Sequence, residues 1–291
     1  METFREQSED TQLRVTEMLM DSRLSVIVEG RHDKLTLERF FDDKYCSFEQ
    51  FNGKENAELA IQLVNAVNPT RAIAIFDHDL DFLDSKSYPS NVFLTDGHDL
   101  DIQLFFSDAF YRVAREYFSE EETSTKTKLN NIRKTIVSFA RPLAYMRVVS
   151  KEKGYDFAFK ASKDHNKPFP YKNLVQVDHK NCKFLGNEKT VQTVCCYRNQ
   201  GKGKDQKKML SDVRAIAKRN YSDKELLHGH DLMNFFGLVV VYYGSASSSS
   251  KSVDEIECSF RLTYSNEFYK TTLYEALKKY CEYNKKPILA S

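Results

Sequence analysis

The sequence predicts an α/β protein, with an N-terminal parallel sheet flanked by helices and a mainly helical α+β region after it. Two observations predict this class. Short, continuous apolar runs alternate with helical patterns over the first hundred residues, which is typical of a parallel sheet buried on both faces. From about residue 98 the pattern becomes mostly helical, with less regular segments between residues 150 and 200.

The N-terminal elements follow one another in a regular order. A helix is predicted at residues 8–21, where apolar positions recur among polar ones. The runs predicted as strands are LSVIVEG, CSFEQFNG, RAIAIFD and NVFLTD. The segments predicted as helices between them are HDKLTLERFFDD and ENAELAIQLVNAV, and Pro69 follows the second as a stop signal. This βαβαβ order predicts right-handed crossovers, with the carboxyl ends of the strands at one ligand-binding edge.

The later part of the chain is predicted to be helix-rich. Its predicted helices are DLDIQLFF, AFYRVAREYF, NNIRKTIVSFA ending at Pro142, DQKKMLSDVRAIAKRN, HDLMNFFGLVVVYYG and FYKTTLYEALKKYCEY. The segments KEKGYDFAFK, KPFPYKNLVQV and TVQTVCCY are interpreted as short strands or loops, and SASSSSKS as an exposed loop. The predicted domains are 1–110, a catalytic domain, and 111–291, a basic domain for substrate or partner binding.

Charge is divided unevenly along the chain. Residues 1–110 contain 22 acidic and 10 basic residues, whereas residues 111–291 contain 20 acidic and 33 basic residues. Clustered carboxylates suit divalent cations, and a basic surface suits phosphate backbones. The alternatives are that the two halves complement each other, or that the basic half faces an acidic partner protein.

Composition excludes several classes. Apolar residues make up 41% of the chain, and no apolar run approaches the roughly 20 residues that span a bilayer. The polar N-terminus METFREQSED does not resemble a secretory signal, so a cytoplasmic location without membrane attachment is expected. The six cysteines form no C-x-x-C pair, and we expect reduced, buried thiols rather than a zinc site.

Acidic residues follow the ends of the predicted strands. Glu29 ends the first strand and precedes Gly30, and Asp33 lies on the first turn of the next helix. Asp77 ends the third strand, and Asp79 follows two positions later. Because residues i and i+2 of an extended segment project to the same side, Asp77 and Asp79 are expected to face one point.

Such a cluster of carboxylates is costly without a cation. Carboxylates held close together repel, which favours protonation of some of them. A divalent cation removes this cost, and hard oxygen ligands favour Mg²⁺ or Mn²⁺. A metal ion at this edge would polarise a phosphodiester and activate water, with a nearby glutamate as general acid or base.

The order of these motifs resembles the Toprim domain of topoisomerases, primases and overcoming-lysogenization-defect (OLD) nucleases. A strand ending in Glu-Gly precedes a strand ending in Asp-x-Asp, with the Gly-Lys segment FNGKEN between them. Three further segments resemble a narrower family, which includes the Toprim subunit of the PARIS anti-phage system. These segments are NVFLTDGHDLDIQLF, LLHGHDLMNFF and RPLAYMRVVSKEKGYDF.

The resemblance implies roles for individual residues. Glu29 matches a metal ligand or general acid/base, and Asp77 and Asp79 match the Asp-x-Asp metal ligands. Asp33 matches an acidic position of the nuclease branch. Asp101 falls where such proteins often carry Glu. Because its side chain is one methylene shorter, the sequence leaves open whether it reaches a metal. Lys54 is expected to contact phosphate or stabilise developing negative charge.

The resemblance also implies a biological role. A protein of this family is expected to be a toxic nuclease effector that cleaves RNA, specifically host tRNA. An ABC-type, OLD-like ATPase partner would restrain it, and the released enzyme would act as a homodimer. The chain has no P-loop motif of its own, so a partner would bind ATP. The candidate RNA-binding residues are Lys202, Lys204, Lys207 and Lys208. Their alternative interpretation is a solvated loop and helix face.

Two other functions remain open at this point. The chain could be a non-catalytic regulatory module that docks on an ATPase. It could also be a phosphatase of the haloacid dehalogenase type with Asp77 as nucleophile, although Leu80 stands where Thr or Val is usual.

Several polar and aromatic residues have structural interpretations beside functional ones. Asp81 is interpreted as a cap of the following segment, and His98-Asp99 as a helix start or a ligand. His228 and His230 before Asp231 form a second such helix start or a catalytic pair. For Phe169 and Tyr171 the alternatives are base stacking and a place in the core.

Overall fold

A computed structural model of the chain describes residues 4–161, 166–178, 180–244 and 252–290. These residues form two compact units. Unit 1 comprises the chain up to Gln103 together with the segment from Tyr264 onward, and unit 2 comprises Leu104–Thr263. The division differs from the predicted one at residue 110, because the C-terminal segment packs with the N-terminal unit.

Helices and strands alternate in unit 1, and helices predominate in unit 2. In chain order the elements are α1 (Phe4–Met20), β1 (Leu24–Val28), α2 (Arg31–Leu37), β2 (Cys46–Gln50), α3 (Lys54–Val67), β3 (Ala72–Phe76), β4 (Val92–Leu94), α4 (Leu100–Phe106), α5 (Ala109–Tyr117), α6 (Glu120–Thr123), α7 (Lys126–Lys153), β5 (Val175–Val177), β6 (Cys182–Phe184), α8 (Asn187–Cys196), α9 (Gln206–Ile216), α10 (Asp223–Leu226), α11 (Gly229–Tyr243), α12 (Val253–Thr263) and α13 (Thr272–Asn284).

Unit 1 is built on a parallel sheet with the strand order β2-β1-β3-β4. Every residue of the two central strands, β1 and β3, is buried. Val28 at the carboxyl end of β1 lies opposite Ile75 of β3 and Gln50 of β2. The residues that follow β1 and β3 therefore emerge side by side at one edge of the sheet.

Helix α3 covers one face of this sheet through its apolar stripe. Ala57, Ala60, Ile61 and Val64 recur at helical spacing and are buried against strand residues that include Ile27. The α/β class and the parallel sheet flanked by helices are thus confirmed, as is the mainly helical region that follows.

The C-terminal helix α13 packs beside β4, where the rings of Phe93 and Tyr280 are 5.6 Å apart in an edge-to-face contact. Asp96, just after β4, accepts hydrogen bonds from the backbone N–H groups of Thr272 and Leu273, both at 2.9 Å. A carboxylate at a helix start satisfies unpaired N–H groups and favours the helix dipole. Asp96 therefore anchors the C-terminal segment.

Two predictions for unit 2 are wrong. Helix α7 does not end at Pro142 but continues to Lys153. Proline removes one helical hydrogen bond, but Pro142 is buried with Ala140, Leu143 and Ala144, and this packing offsets the loss. The segment TVQTVCCY belongs to helix α8, because its buried residues follow the helical period despite their β-branched side chains.

Other expectations for unit 2 are confirmed. The apolar segment HDLMNFFGLVVVYYG is the buried helix α11, and Phe169 and Tyr171 are core residues. Asp231 accepts two hydrogen bonds from Arg147, at 2.8 and 3.0 Å, and one from the Tyr171 hydroxyl at 2.6 Å. Asp231 therefore holds α11 to α7. The predicted Ser-rich loop at residues 245–252 lies outside the described residues apart from Ser252.

The cysteine prediction holds only in part. All six cysteines are free thiols, but Cys196 and Cys258 are exposed, and only Cys46 and Cys195 are buried. Among the described residues, no helix is both long and apolar enough to cross a bilayer.

Candidate functional site

The carboxyl ends of β1 and β3 bring together two acidic residues that are far apart in sequence. Glu29 directly follows β1, and Asp77 directly follows β3. Glu29 Oε1 accepts a hydrogen bond of 2.9 Å from the Asp77 backbone N–H. The parallel pairing of the strands fixes this juxtaposition, as the sequence predicted from the strand ends.

The two carboxyl groups hold protons more tightly than isolated ones. Burial raises the pKa of Glu29 to about 7; the Asp77 N–H offsets part of this increase, and the charge of Asp79 adds to it. Burial also raises the pKa of Asp77 well above its ordinary value, and the nearby charges of Asp33 and Asp99 raise it further. Glu29 is therefore able to accept or donate a proton near neutral pH.

Asp33 approaches this pair from the first turn of α2. Its Oδ2 accepts a hydrogen bond of 2.9 Å from the Gly30 backbone N–H. A side chain added at residue 30 would bring its Cβ within 3.4 Å of the same oxygen. This is an ordinary van der Waals distance, so the contact does not require glycine at position 30. Asp33 lies in the first turn of α2, as predicted.

The start of α4 contributes a further carboxylate, that of Asp99, for which the sequence left open a helix start or a ligand role. Asp99 Oδ1 accepts a hydrogen bond of 2.8 Å from Ile102 N–H, so the predicted helix start is confirmed. Asp77 Oδ1 accepts one of 3.0 Å from Leu100 N–H. Both carboxylates thus face the positive end of α4. Asp101, the second residue of that helix, is partly buried in its first turn.

Asp79 reaches the site by a route other than the predicted one. The segment after β3 is not extended, because Asp79 adopts a left-handed conformation with φ of 48°. Its backbone N–H donates to the His98 carbonyl at 2.6 Å, which holds the turn. Aspartate tolerates this conformation better than most residues. The i, i+2 argument for Asp77 and Asp79 was therefore wrong, although both lie in the same cluster.

Lys54 is the cation of the cluster. It begins α3 after a turn in which Asn52 has φ of 54° and Gly53 has φ of 126°, a region that favours glycine. Its Nζ donates to Asp79 Oδ2 at 2.6 Å, to the Asp77 carbonyl at 2.7 Å and to Asp81 Oδ2 at 2.9 Å. Burial alone would lower the pKa of Lys54, but these carboxylates outweigh it and raise that pKa.

Asp81 positions Lys54, a role that the sequence did not indicate. It is a buried carboxylate whose Oδ2 accepts from Lys54 and, at 2.5 Å, from the Tyr88 hydroxyl. Burial opposes ionisation, but the hydrogen bonds from Tyr88 and Lys54 prevail and lower the pKa of Asp81. Asp81 is thus an ionised anchor rather than the helix cap that was expected.

The side chains of Glu29, Asp33, Asp77 and Asp79 have the right chemistry for a hard divalent cation, but their present arrangement does not suit one. All of them supply carboxylate oxygens, which Mg²⁺ and Mn²⁺ prefer. Among the described residues, however, no three His, Cys, Asp or Glu side chains are grouped so that they could hold a metal ion. The carboxylates of Glu29, Asp33 and Asp77 accept from backbone N–H groups, and Asp79 accepts from Lys54. Lys54 occupies Asp79 Oδ2, so metal coordination through that oxygen requires it to exchange the lysine ammonium for the metal.

Lys54→Met tests this exchange. Without divalent metal, the variant is expected to lose about 1–3 kcal/mol in its free energy of unfolding, because Asp81 is left buried without its cation. Millimolar Mg²⁺ should then raise the melting temperature of the variant more than that of the parent protein.

Lys86→Met is the matched control for the loss of one lysine charge near Asp81, since Lys86 pairs with Glu58 at 2.6 Å and acts on Asp81 through its charge and through Tyr88 rather than as its salt-bridge partner. Thermal denaturation with MgCl₂ and with EDTA measures the effect. Equal Mg²⁺ shifts for the parent and both variants would show that Lys54 does not occupy a cation position.

The basic residues proposed for RNA binding belong to unit 2. Lys202, Lys207 and Lys208 are exposed, and Lys204 is partly buried beside the rings of Tyr155 and Phe157, at 5.7 and 5.5 Å. The Asp205 carboxylate caps α9 by accepting from Lys207 and Lys208 N–H groups, so their ammonium groups project from a helix start.

The histidines near α11 have structural partners. His228 is the N-cap residue of α11, which confirms the predicted helix start. His230 Nδ1 lies 2.8 Å from Glu257 Oε1, and Glu257 is buried. This pair links α11 to α12 and belongs to unit 2, whereas the acidic cluster belongs to unit 1.

Comparison with protein-family models finds no match for this chain, and comparison with curated proteins finds no significantly similar sequence.

Proposed function

We propose that this chain is a metal-dependent nuclease of the Toprim type, with its active site at the carboxyl ends of β1 and β3. The observation that carries the proposal is the contact of Glu29 with the backbone of Asp77 at 2.9 Å, in a cluster where burial, and then repulsion from neighbouring carboxylates, raises the pKa of both groups. A protein keeps such repulsion where the charges serve a function, and divalent cation binding is the chemistry that relieves it.

The roles follow from these contacts. Mg²⁺ or Mn²⁺, held by carboxylates from Glu29, Asp33, Asp77, Asp79 and, in the family pattern, Asp101, would supply phosphate polarisation and charge neutralisation. Glu29, whose pKa is raised by burial to about 7 in the metal-free protein, is the candidate general acid or base that would exchange a proton with the attacking water or the leaving oxygen. Lys54, once Asp79 releases it, remains tethered by Asp81 and faces the negative charge that develops on the phosphate.

The proposed substrate is RNA, with host tRNA as the specific case, and the proposed setting is anti-phage defence. This part rests on the resemblance of the strand-end motifs and of the downstream segments to the PARIS-related family. The basic C-terminal half of the sequence supports a polyanionic substrate. An ABC-type, OLD-like ATPase is the proposed partner that restrains the enzyme, which acts as a homodimer in the cytoplasm once released.

A cleavage assay with the full chain tests this proposal. Labelled tRNA, single-stranded DNA and duplex DNA are incubated with the protein in Mg²⁺, Mn²⁺ or EDTA, with and without the proposed ATPase partner. We expect metal-dependent cleavage of tRNA by the released chain and none in EDTA. Cleavage that persists in EDTA, or cleavage of DNA alone, would contradict the proposal.

One observation favours a second candidate, a non-catalytic module of an ATPase complex. Lys54 already neutralises Asp79 and Asp81 without metal, and no metal-holding group of three side chains is assembled among the described residues. Absence of cleavage in every preparation, together with stable co-purification with the ATPase, would support this candidate. A haloacid dehalogenase-like phosphatase is disfavoured by the sequence, since Leu80 stands where Thr or Val usually follows the Asp-x-Asp motif.

A further inference from the structure

A basic cavity of about 330 Å³ lies at the amino end of the sheet in unit 1, at the opposite edge from the acidic cluster. It reaches Leu24, the first residue of β1. Four of its lining side chains are cationic, and no acidic side chain lines it within the described part of the chain. The cationic residues are Arg23, Arg71, Lys285 and Lys286.

A second cavity, of about 460 Å³, adjoins the first and shares Thr70 with it. Its lining combines Lys279 with three aromatic residues, Phe93, Tyr280 and Tyr283, and again no acidic residue among those described contributes to it. The Tyr283 side chain is 88% exposed. We call the two cavities together the amino-edge groove.

The positive charge of this groove is only partly compensated. Arg23 pairs with Asp21 at 2.7 Å, and the same carboxylate also interacts with the charge of Arg71, whose guanidinium donates to the Leu19 and Ser22 carbonyls. Lys286 Nζ donates to the Thr70 carbonyl. Burial lowers the pKa of Lys286, and the charge of Arg71 lowers it further, so an anion bound here would relieve repulsion between cations.

Helix carboxyl ends account for part of this arrangement. Lys285 lies just after the carboxyl end of α13, where a cation is favourable. Arg23 and Arg71 come from the loops before β1 and β3, and both lie near the carboxyl end of α1, where Arg71 donates to the Leu19 carbonyl. Residues separated by more than 200 positions thus supply cations to one groove.

We infer that the amino-edge groove binds single-stranded RNA, with its cations on the phosphates and Tyr283 as a stacking platform for a base. A cationic groove lined with aromatic side chains is the usual means of holding single strands. A ring as exposed as that of Tyr283 contributes little to the stability of the fold through burial, so it is free to stack on a ligand. The choice of RNA rests on the proposed function, of which this groove would be an anchoring site for substrate flanking the cleaved bond.

The experiment measures RNA binding in EDTA, so that no cleavage is needed. Fluorescence anisotropy of a labelled single-stranded oligonucleotide is recorded with the full chain and the variants Lys279→Glu, Lys285→Asn and Tyr283→Ala. Asparagine tolerates the left-handed conformation of residue 285, where φ is 55°. The matched control is Lys278→Glu, since Lys278 is exposed on the same helix but lines neither cavity.

We expect Tyr283→Ala to weaken binding about fivefold or more, as loss of one stacked base does. Lys285→Asn should lower the slope of log affinity against log salt by about 0.7, the value for one lost phosphate contact on a single strand. Lys279→Glu should weaken binding at low salt, and Lys278→Glu should change it much less.

Three results would overturn the inference. Equal losses for Lys278→Glu and Lys279→Glu would indicate diffuse charge rather than a groove. An unchanged affinity in Tyr283→Ala would leave only a phosphate site. Displacement of the RNA by stoichiometric AMP or ATP would indicate a mononucleotide site. Because binding is measured without metal, loss of the groove leaves the cleavage proposal standing, and failure of cleavage leaves the groove testable.

Discussion

Glu29→Gln is expected to reduce metal-dependent cleavage by about 10²- to 10⁴-fold, the usual contribution of a general acid or base. Glutamine retains an oxygen that accepts the Asp77 N–H hydrogen bond now made at 2.9 Å. It cannot ionise, and it is a weaker metal ligand. The variant should therefore keep its fold, measured by circular dichroism, and lose its activity, measured by cleavage of labelled RNA.

Glu55→Gln is the matched control for this loss. Glu55 lies in the first turn of α3, next to Lys54, but is exposed. It should cleave at the parental rate. If Glu29→Gln retained full activity at saturating Mg²⁺, Glu29 would not be a catalytic residue, and the assignment of the active site to the ends of β1 and β3 would be wrong.

The second large effect is a pH-dependent loss of stability in the absence of metal. The pKa of Glu29 is about 7 in the folded protein, against an ordinary value of 4.5. The folded state therefore holds a proton that the unfolded state releases between these values. Protonated Glu29 therefore contributes to the free energy of unfolding below pH 4.5. This contribution, about 3 kcal/mol for a shift of this size, is lost as the pH rises through 7. Asp77, whose pKa is also raised, adds a loss of the same sign.

Urea denaturation in EDTA at pH 4.5 and pH 8 measures this loss. Relative to Glu29→Gln, the parent protein should be less stable at pH 8 and closer in stability at pH 4.5. Addition of Mg²⁺ at pH 8 should restore much of the difference, because the metal stabilises the ionised carboxylates. Parallel pH profiles for the parent and the variant would show that Glu29 has an ordinary pKa.

The sheet and the placement of Glu29 beside Asp77 were predictable from the sequence for one reason. Buried parallel strands have continuous apolar sequences, and the alternation of strand and helix leaves little choice of topology. Once β1 and β3 are neighbours, the residues that follow them must meet at one edge. Helix α3 was equally predictable from the sequence, because its apolar residues recur with a regular helical period.

Contacts that depend on turn conformation or on distant segments were not predictable. The left-handed backbone of Asp79 turns its carboxylate to Lys54, and no periodic pattern encodes such a turn. In the sequence, Asp81 looks like a helix cap, and only the structure shows that its carboxylate accepts hydrogen bonds from Lys54 and Tyr88. Asp96, the last residue of the predicted strand NVFLTD, holds α13, because the C-terminal segment returns to unit 1 across more than 170 positions.

The most direct test of the central claim is a Mn²⁺ titration followed by electron paramagnetic resonance, in which bound Mn²⁺ disappears from the signal of the free ion. The parent protein should bind Mn²⁺ saturably, and Asp77→Asn should lose that binding, because Asp77 joins the carboxylates of the cluster. Asp96→Asn should retain it, because Asp96 caps α13 rather than facing the cluster. Equal Mn²⁺ binding by the parent and Asp77→Asn, or no binding by either, would contradict a metal site at the ends of β1 and β3.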